Sequence, residues 1–171
     1  MSHIDLIVKT ARKYQGQEEI QPNLGFKDPL FQQKMNAVGF YRSANWCGFF
    51  VILVLKEVYS DAPEIWKYLK KYLSPSTHQT WVNCKASKEI ITGQIPKIGA
   101  IAIWQEGDTG NGHMELVISV ANDNKHFSSI GGNTAKNGSR NGCIVGENSH
   151  VTGLPHSEKG LNFLGFCCLP A

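Results

Sequence analysis

A long stretch without polar side chains lies in the first half of the chain. Asn45 precedes Trp46–Tyr59, and hardly a polar position occurs in that segment before Lys56. A helix that is apolar on every side is stable only when other elements surround it. The longest apolar run, Gly48–Leu55, is far shorter than the ~20 residues that a membrane-spanning helix needs. We therefore predict a helix buried at the centre of a domain, and no membrane span.

The rest of the chain divides into a helical part and a strand-rich part. The sequence predicts four further helices, at 2–14, 27–38, 61–73 and 77–87. The signals are apolar residues at helical spacing and capping pairs such as Ser2 with Asp5 and Asp61 with Glu64. After residue 93, short β-branched or aromatic runs alternate with turn-rich segments and predict strands: Ile98–Gln105, His113–Ala121, Lys125–Ile130, Gly142–Val145 and Leu161–Leu169. This order predicts an α+β fold, with N-terminal helices packed on an antiparallel β-sheet.

Composition excludes several classes of protein. With 171 residues and 42% hydrophobic side chains, the chain has the size and apolar content of a single domain, 1–171. Its 17 basic residues are scattered among 14 acidic ones, so no nucleic-acid-binding patch is expected. The five cysteines have no C-x-x-C spacing, so no zinc site is expected. Because Met1–Tyr14 lacks a basic-then-apolar signal segment, we expect a protein made in the cytoplasm without a signal peptide.

Cys47 is the most informative single residue. It lies in the first turn of the central helix, where unpaired backbone N–H groups and the positive end of the helix dipole favour a thiolate. The same N–H groups can stabilise the oxyanion that forms when a thiolate attacks a carbonyl. Most free cysteines are small buried hydrophobic residues, so position alone leaves both interpretations open.

A thiol nucleophile needs a histidine as base and a polar residue that orients the imidazole. Of the six histidines, His113 stands at the mouth of an apolar strand, and the others are expected to be solvated surface residues. A hairpin turn at Asn122–Asn124 would place Asn133 opposite His113, because the two residues are nearly symmetric about that turn. The Asn133 oxygen can then accept the ring N–H and leave the other nitrogen facing Cys47. The plainer interpretation of Asn133 is a turn residue after two glycines.

Four short blocks carry a resemblance to a known family: Asn45-Trp46-Cys47-Gly48-Phe49-Phe50, Ile95-Pro96-Lys97-Ile98-Gly99-Ala100-Ile101, Gly112-His113-Met114 and Gly131-Gly132-Asn133-Thr134. Their order and separation resemble the CHAP group of the papain-like amidohydrolases, relatives of the NlpC-type cell-wall peptidases. The resemblance implies a papain-like α+β fold and hydrolysis of amide bonds in peptidoglycan. It also implies Cys47 as nucleophile, His113 as general acid–base and Asn133 as the orienting residue, with no metal and no cofactor.

Three positions depart from the family pattern. Gly131 stands where many members have an acidic residue, so the third catalytic position falls to Asn133 or elsewhere. Ala100 stands where an Asp is usual, which concerns loop structure more than chemistry. Glu115, two residues after His113 and so on the same strand face, replaces a residue that is usually small. Glu115 either contacts substrate or is simply exposed, and we expect exposure.

Three further residues near these blocks are weaker candidates for substrate binding, each with a plainer alternative. Tyr41 can supply an oxyanion donor, but core packing is the expected role. Trp46 is expected in the core rather than as a platform for a sugar. Arg140 lies in the loop Thr134–Gly142, which either borders the cleft or is an ordinary flexible loop.

The predicted function is that of a peptidoglycan amidase or endopeptidase with a Cys47–His113–Asn133 triad and a thioester intermediate. Two alternatives stay open: a cysteine hydrolase of a protein or small amide, and a catalytically idle binding module on the same fold. The expected partners are peptidoglycan stem peptides. They are reached after phage lysis through a holin, or after delivery by a secretion system with a cognate immunity protein.

Overall fold

The computed structural model describes residues 2–135 and 142–169. Within them the chain forms five helices and one antiparallel sheet of six strands, which confirms the predicted α+β class and is compatible with a papain-like fold. The helices are α1 (His3–Lys13), α2 (Pro29–Asn36), α3 (Cys47–Val58), α4 (Pro63–Leu69) and α5 (Thr77–Ala86). The strands are β1 (Ile91–Gly93), β2 (Ile101–Glu106), β3 (Gly112–Val120), β4 (His126–Thr134), β5 (Ile144–Val151) and β6 (Leu161–Cys168).

The sheet has the strand order β1-β6-β2-β3-β4-β5, and each neighbouring pair is antiparallel. The predicted hairpin of β3 and β4 is confirmed, since Leu116 lies opposite Ile130 and Val117 lies opposite Ser129. These two pairs are symmetric about the turn at 122–124, as the sequence spacing predicts, but the register shifts by one residue between Val117 and Ser119, nearer the turn. The open end of the hairpin approaches the start of α3, where a Cβ on Gly132 would meet side chains of the central helix region.

Helix α3 forms the centre of the core, as its apolar sequence predicts. It packs against α1, α2 and the β3–β4 hairpin, and Phe50, Val51 and Val54 are fully buried. Complete burial of such a side chain stabilises the fold by about 1.5–3 kcal/mol. Because the helix is enclosed by other elements, its first residue, Cys47, has a well-defined position. No helix in the described part of the chain is long and apolar enough to cross a lipid bilayer.

The predicted capping pairs form at one helix and not at the other. Ser2 Oγ accepts from the Asp5 backbone N–H at 3.2 Å, and the Asp5 carboxylate accepts from the Ser2 N–H at 3.1 Å. The prediction for Asp61 with Glu64 is wrong, because α4 begins at Pro63 and no described side chain caps it. Proline suits the first helical position, since its φ is fixed and its missing N–H would have no partner there.

Strand β5 is longer than the sequence predicts. The sequence predicts a strand at Gly142–Val145 and a loop around His150, whereas β5 runs through Ile144–Val151 along β4. The second half of β5 is polar but alternates between exposed and partly buried positions, as a strand at the edge of a sheet can. Because the alternating residues in this half of β5 are mostly polar, its sequence looks like that of a loop. His150 is therefore a strand residue, and the expectation that it is a solvated loop residue is wrong.

Candidate active site

Cys47 is the first residue of α3 and is buried, with 3% of its surface exposed. No side chain among the described residues caps the N–H groups at this helix start, since the residue before it, Trp46, makes no such bond. Gly48 lies against Pro75, where a Cβ would come within 2.3 Å of the carbonyl oxygen. The loop before α5 therefore covers one side of the helix start, and Oγ1 of Thr77, the first residue of α5, lies 4.0 Å from the Cys47 Sγ.

His113, near the start of β3, lies beside the Cys47 side chain and lowers the pKa of its thiol. Its Nε2 lies 2.9 Å from Oε1 of Glu115, so Nδ1 is the ring nitrogen left to face the thiol. The imidazole is mostly enclosed, with 16% of the side chain exposed. The structure thus brings together the predicted nucleophile and the predicted base, which lie far apart in the sequence.

Glu115 lies behind the imidazole, and the expectation that it is exposed is wrong. Its side chain is 1% exposed. It accepts hydrogen bonds from His113 Nε2, Asn148 Nδ2, His150 Nε2 and Ser129 Oγ. A buried carboxylate is stable only when such donors replace water, and here β3, β4 and β5 supply them. The sequence does not reveal these donors, because three of the four come from other strands.

Burial and mutual contact together set the charges of these groups. Burial raises the pKa of the Cys47 thiol, but the hydrogen bond and charge of His113 outweigh it, so the pKa lies below its ordinary value. Burial lowers the pKa of His113, but its bonds to Cys47 and Glu115 prevail and raise it to about 10. Burial also raises the pKa of Glu115, but the donors His113 and His150 bring it well below its ordinary value. Together these pKa shifts favour a thiolate beside an imidazolium that is bonded to a carboxylate.

Asn133, the predicted orienting residue, is not joined to His113. Among the described residues no hydrogen bond connects these two side chains, and the Asn133 backbone is left-handed, with φ of 58°. The register between β4 and β5 shifts between Gly131 and Thr134, so Asn133 lies in a bulge rather than in the regular ladder. Its role as third catalytic residue stays a prediction, whereas Glu115 occupies the position behind the ring.

The thiol faces a cleft of about 490 Å³. The walls come from the starts of α3, α5 and β3 and the segments just before them, at positions within 41–49, 74–77 and 110–112. No charged side chain lines the described part of this cleft. Nor do the described residues include a cluster of His, Cys, Asp and Glu arranged to hold a metal ion. The described lining of the cleft therefore offers the Cys47 thiol and neutral hydrogen-bonding groups, while His113 reaches the reaction through its contact with Cys47.

The weaker candidates for substrate binding lie in different environments. Tyr41 is 66% exposed at the cleft wall, with its ring edge against Phe49, so the expected core packing is wrong. The loop before α3 holds Tyr41 outside the core. Trp46 is fully buried and donates its indole N–H to Glu19 at 3.1 Å, which confirms its predicted place in the core. Arg140 lies outside the residues that the structure describes.

Comparison with known proteins identifies the family. A model of the CHAP domain matches residues 39–133, a segment that contains Cys47, His113 and Asn133. No curated protein and no solved structure matches the chain. The CHAP domain is typically a hydrolase domain and indicates a peptidoglycan hydrolase or amidase in general. Because the matched segment covers more than half of the 171 residues, the chain belongs to the CHAP domain family.

Proposed function

We propose that the protein is a cysteine amidase or endopeptidase that hydrolyses an amide bond of peptidoglycan. The observation that supports this best is the buried contact of Cys47 with His113 at the N-terminus of a core helix. Family membership supports the substrate, since the CHAP domain indicates peptidoglycan hydrolases and amidases in general. Cys47 is the nucleophile of this proposal and His113 its general acid–base.

The reaction begins when the Cys47 thiolate forms a bond from Sγ to the carbonyl carbon of the scissile amide. The carbonyl electron pair moves onto oxygen and returns as the C–N bond breaks. His113 gives its proton to the leaving nitrogen, so an amine departs and a thioester remains. Water then attacks the thioester while His113 takes a proton from it. The C–S bond breaks, which releases the carboxylic acid and restores the thiolate beside the imidazolium.

The start of α3 supplies groups that stabilise the charged intermediate. Its backbone N–H groups carry partial positive charge, and no described side chain caps them. An amide carbonyl attacked by Cys47 Sγ develops its negative charge beside these groups. A single donor at such a position typically contributes about 2.7–4 kcal/mol to transition-state stabilisation.

The cleft supports a peptide-like substrate. Its described walls present neutral polar side chains, among them Ser43, Asn45 and Thr77. Such groups orient a ligand by hydrogen bonds, and here they have no net charge with which to bind a strongly charged one. The amide-rich stem peptides of peptidoglycan offer many hydrogen-bonding groups to walls of this kind. Because the scissile amide belongs to the peptide part of peptidoglycan, we place the stem peptide beside Cys47.

Purified peptidoglycan sacculi test the proposal. We expect the wild-type protein to release soluble fragments and Cys47→Ala to release none above a protein-free blank, because the nucleophile is missing. Cys168→Ala is the matched control, since that half-buried thiol lies on β6 outside the cleft, and we expect wild-type release from it. Mass spectrometry of the fragments identifies the bond: free stem peptides indicate cleavage of the sugar–peptide amide, and new termini within stems or cross-links indicate an endopeptidase.

Three results would contradict the proposal in different ways. Equal fragment release by wild type and Cys47→Ala would remove Cys47 from the mechanism. Intact sacculi together with Cys47-dependent hydrolysis of a protein or small amide would change the substrate. Intact sacculi that bind the protein without any hydrolysis would indicate a binding module.

A further inference from the structure

The Glu115 carboxylate is held from three strands at once. Its Oε1 accepts from His113 Nε2 at 2.9 Å and from Asn148 Nδ2 at 2.8 Å. Its Oε2 accepts from His150 Nε2 at 3.1 Å and from Ser129 Oγ. Each oxygen therefore has two donors, and each donor is a different side chain. A carboxylate fixed in this way has one orientation, and so has the imidazole bonded to it.

The residue opposite Glu115 provides the space for its side chain. Continuing the register of Leu116 with Ile130 places Glu115 beside Gly131. A Cβ on residue 131 would lie 2.5 Å from Glu115 Cγ, which is closer than Cβ atoms approach other atoms in proteins. Only one of the two positions can therefore direct a side chain into this space. In this chain the acidic residue stands on β3, and its neighbour on β4 has no side chain.

We propose that Glu115 is the positioning residue of the active site, and that Asn148 and His150 of β5 hold it in place. The proposal deepens the proposed function and rests on it, because it names the group that orients His113. By accepting the Nε2 proton, the carboxylate leaves Nδ1 directed at Cys47. Glu115, on β3, thus has the role that the sequence predicts for Asn133 on β4.

The charges around Glu115 support this assignment. The titratable groups facing it are His113 from its own strand and His150 from β5, while the β4 neighbour is the neutral Ser129. From β2, the Trp104 ring packs beside both imidazoles, with centroids 4.7 Å from His150 and 6.3 Å from His113. This ring covers one side of the two imidazoles. The carboxylate is then a second anion in contact with the His113 imidazolium, in addition to the Cys47 thiolate.

Glu115→Gln tests the proposal, because it keeps the shape of the side chain and removes its charge. We expect kcat on a soluble peptidoglycan fragment to fall by about 10²–10³-fold, with KM within about threefold of wild type. Loss of the anion lowers the pKa of His113 from about 10, so the basic limb of the activity profile moves to lower pH. With less imidazolium present the thiol pKa rises, so alkylation of Cys47 by iodoacetamide requires higher pH.

Asp123→Asn is the matched control. Asp123 lies 2.5 Å from His126 in the exposed turn of the same hairpin, so it has the same partner type without the burial. We expect wild-type kcat and a wild-type alkylation profile from this variant. Wild-type kcat in Glu115→Gln would overturn the proposal. So would an unchanged pH profile of alkylation, because the loss of activity would then not act through His113.

A double variant moves the carboxylate to the other strand. In Glu115→Gly combined with Gly131→Glu, the vacated space receives a side chain from residue 131, whose φ is not in the left-handed region. We expect this variant to be at least about tenfold more active than Glu115→Gly alone. Gly131→Glu alone should lose stability, because its side chain overlaps Glu115. A folded double variant no more active than Glu115→Gly would count against the proposal.

The Cys47→Ala protein supplies the decisive measurement if the Glu115 variants fail to fold, because without the thiol the raised pKa of His113 depends on Glu115. In this protein labelled with ¹⁵N-histidine, we expect one imidazole that keeps protons on both nitrogens well above pH 6.5 and that is missing when His113→Asn is added. Loss of a proton by every histidine near the ordinary pKa of about 6.5 would refute the proposal. Failure of the proposed function is distinguishable, since Cys47→Ala would then keep its activity.

Discussion

The β3–β4 hairpin has a histidine paired with a carboxylate at each of its two ends. At the open end His113 Nε2 lies 2.9 Å from Glu115, and at the turn His126 Nδ1 lies 2.5 Å from Asp123. The pairs share their chemistry and differ in burial. Side chains of the first pair are 16% and 1% exposed, whereas those of the second are 64% and 45% exposed.

This difference in burial determines what each pair contributes. Water solvates His126 and Asp123 whether or not they meet, so their contact adds little to stability. Water does not reach Glu115, so its charge depends on the donors around it, and loss of a partner leaves a buried group unpaired. The buried pair also touches Cys47 through His113, and the exposed pair lies at the other end of the hairpin. A histidine–carboxylate pair thus indicates a functional site when burial makes each group depend on the other.

The largest expected effect separates the two histidines. His113→Asn removes the base beside Cys47, and we expect peptidoglycan turnover to fall by about 10³–10⁴-fold. His126→Asn changes a solvated side chain at the turn and should leave turnover within about twofold of wild type. Initial rates of fragment release from sacculi measure both variants. Equal losses in the two would mean that burial does not distinguish the pairs.

The second effect is on stability. Glu115→Ala leaves one buried and three half-buried donors without their acceptor, and we expect the free energy of unfolding in urea to fall by about 3–5 kcal/mol. Asp123→Asn serves as the control, since it keeps an acceptor oxygen at an exposed site and should barely move the urea midpoint. A Glu115→Ala protein as stable as this control would show that the buried network does not hold the hairpin.

The sequence predicts those parts of the fold that depend on local patterns. The apolar run after Asn45 predicts a buried helix, and α3 occupies Cys47–Val58. Symmetric spacing about one turn predicts the β3–β4 register at the open end of the hairpin, because a two-residue periodicity leaves few alternatives once the turn is placed, but it does not predict the shift between Val117 and Ser119. Cys47 and His113 are predicted for the same reason, since each stands at the end of an element whose place is locally determined.

The third member of the site depends on contacts that no local pattern contains. Ser129, Asn148 and His150 donate to Glu115 from 14, 33 and 35 residues further along the chain. Without them a Glu in a strand is expected at the surface, because an unpaired buried carboxylate is costly. One signal was present in the sequence: Glu115 shares a strand face with His113 and lies opposite Gly131, a residue without a side chain. The sequence spacing predicts a regular register and does not reveal the bulge at Asn133.

The third effect tests the space that burial requires. Gly131→Ala places a Cβ 2.5 Å from Glu115 Cγ, so the carboxylate must move and with it His113. We expect a loss of about 1–3 kcal/mol in unfolding free energy, together with a lower kcat. Gly93→Ala is the matched control, because a Cβ there meets no atom within 4 Å. Thermal unfolding and turnover are measured for both variants. Equal values for the two would show that a Cβ at position 131 does not displace Glu115.

The smallest expected effect lies at the exposed turn. Hydrogen bonds from the His126 backbone and side chain and from the Lys125 N–H hold the pKa of Asp123 below its ordinary value of 3.8. A lowered carboxyl pKa stabilises the folded state above pH 3.8, and this effect disappears as the pH falls through the lowered value. Asp123→Asn no longer titrates, so its thermal midpoint should lie within about 2 °C of wild type at pH 7 and the gap should close below pH 4. If Asp123→Asn lowered the thermal midpoint at pH 7 by more than Gly131→Ala does, the exposed pair would contribute as much to stability as the buried pair. That result would contradict the inferred difference between the two ends of the hairpin.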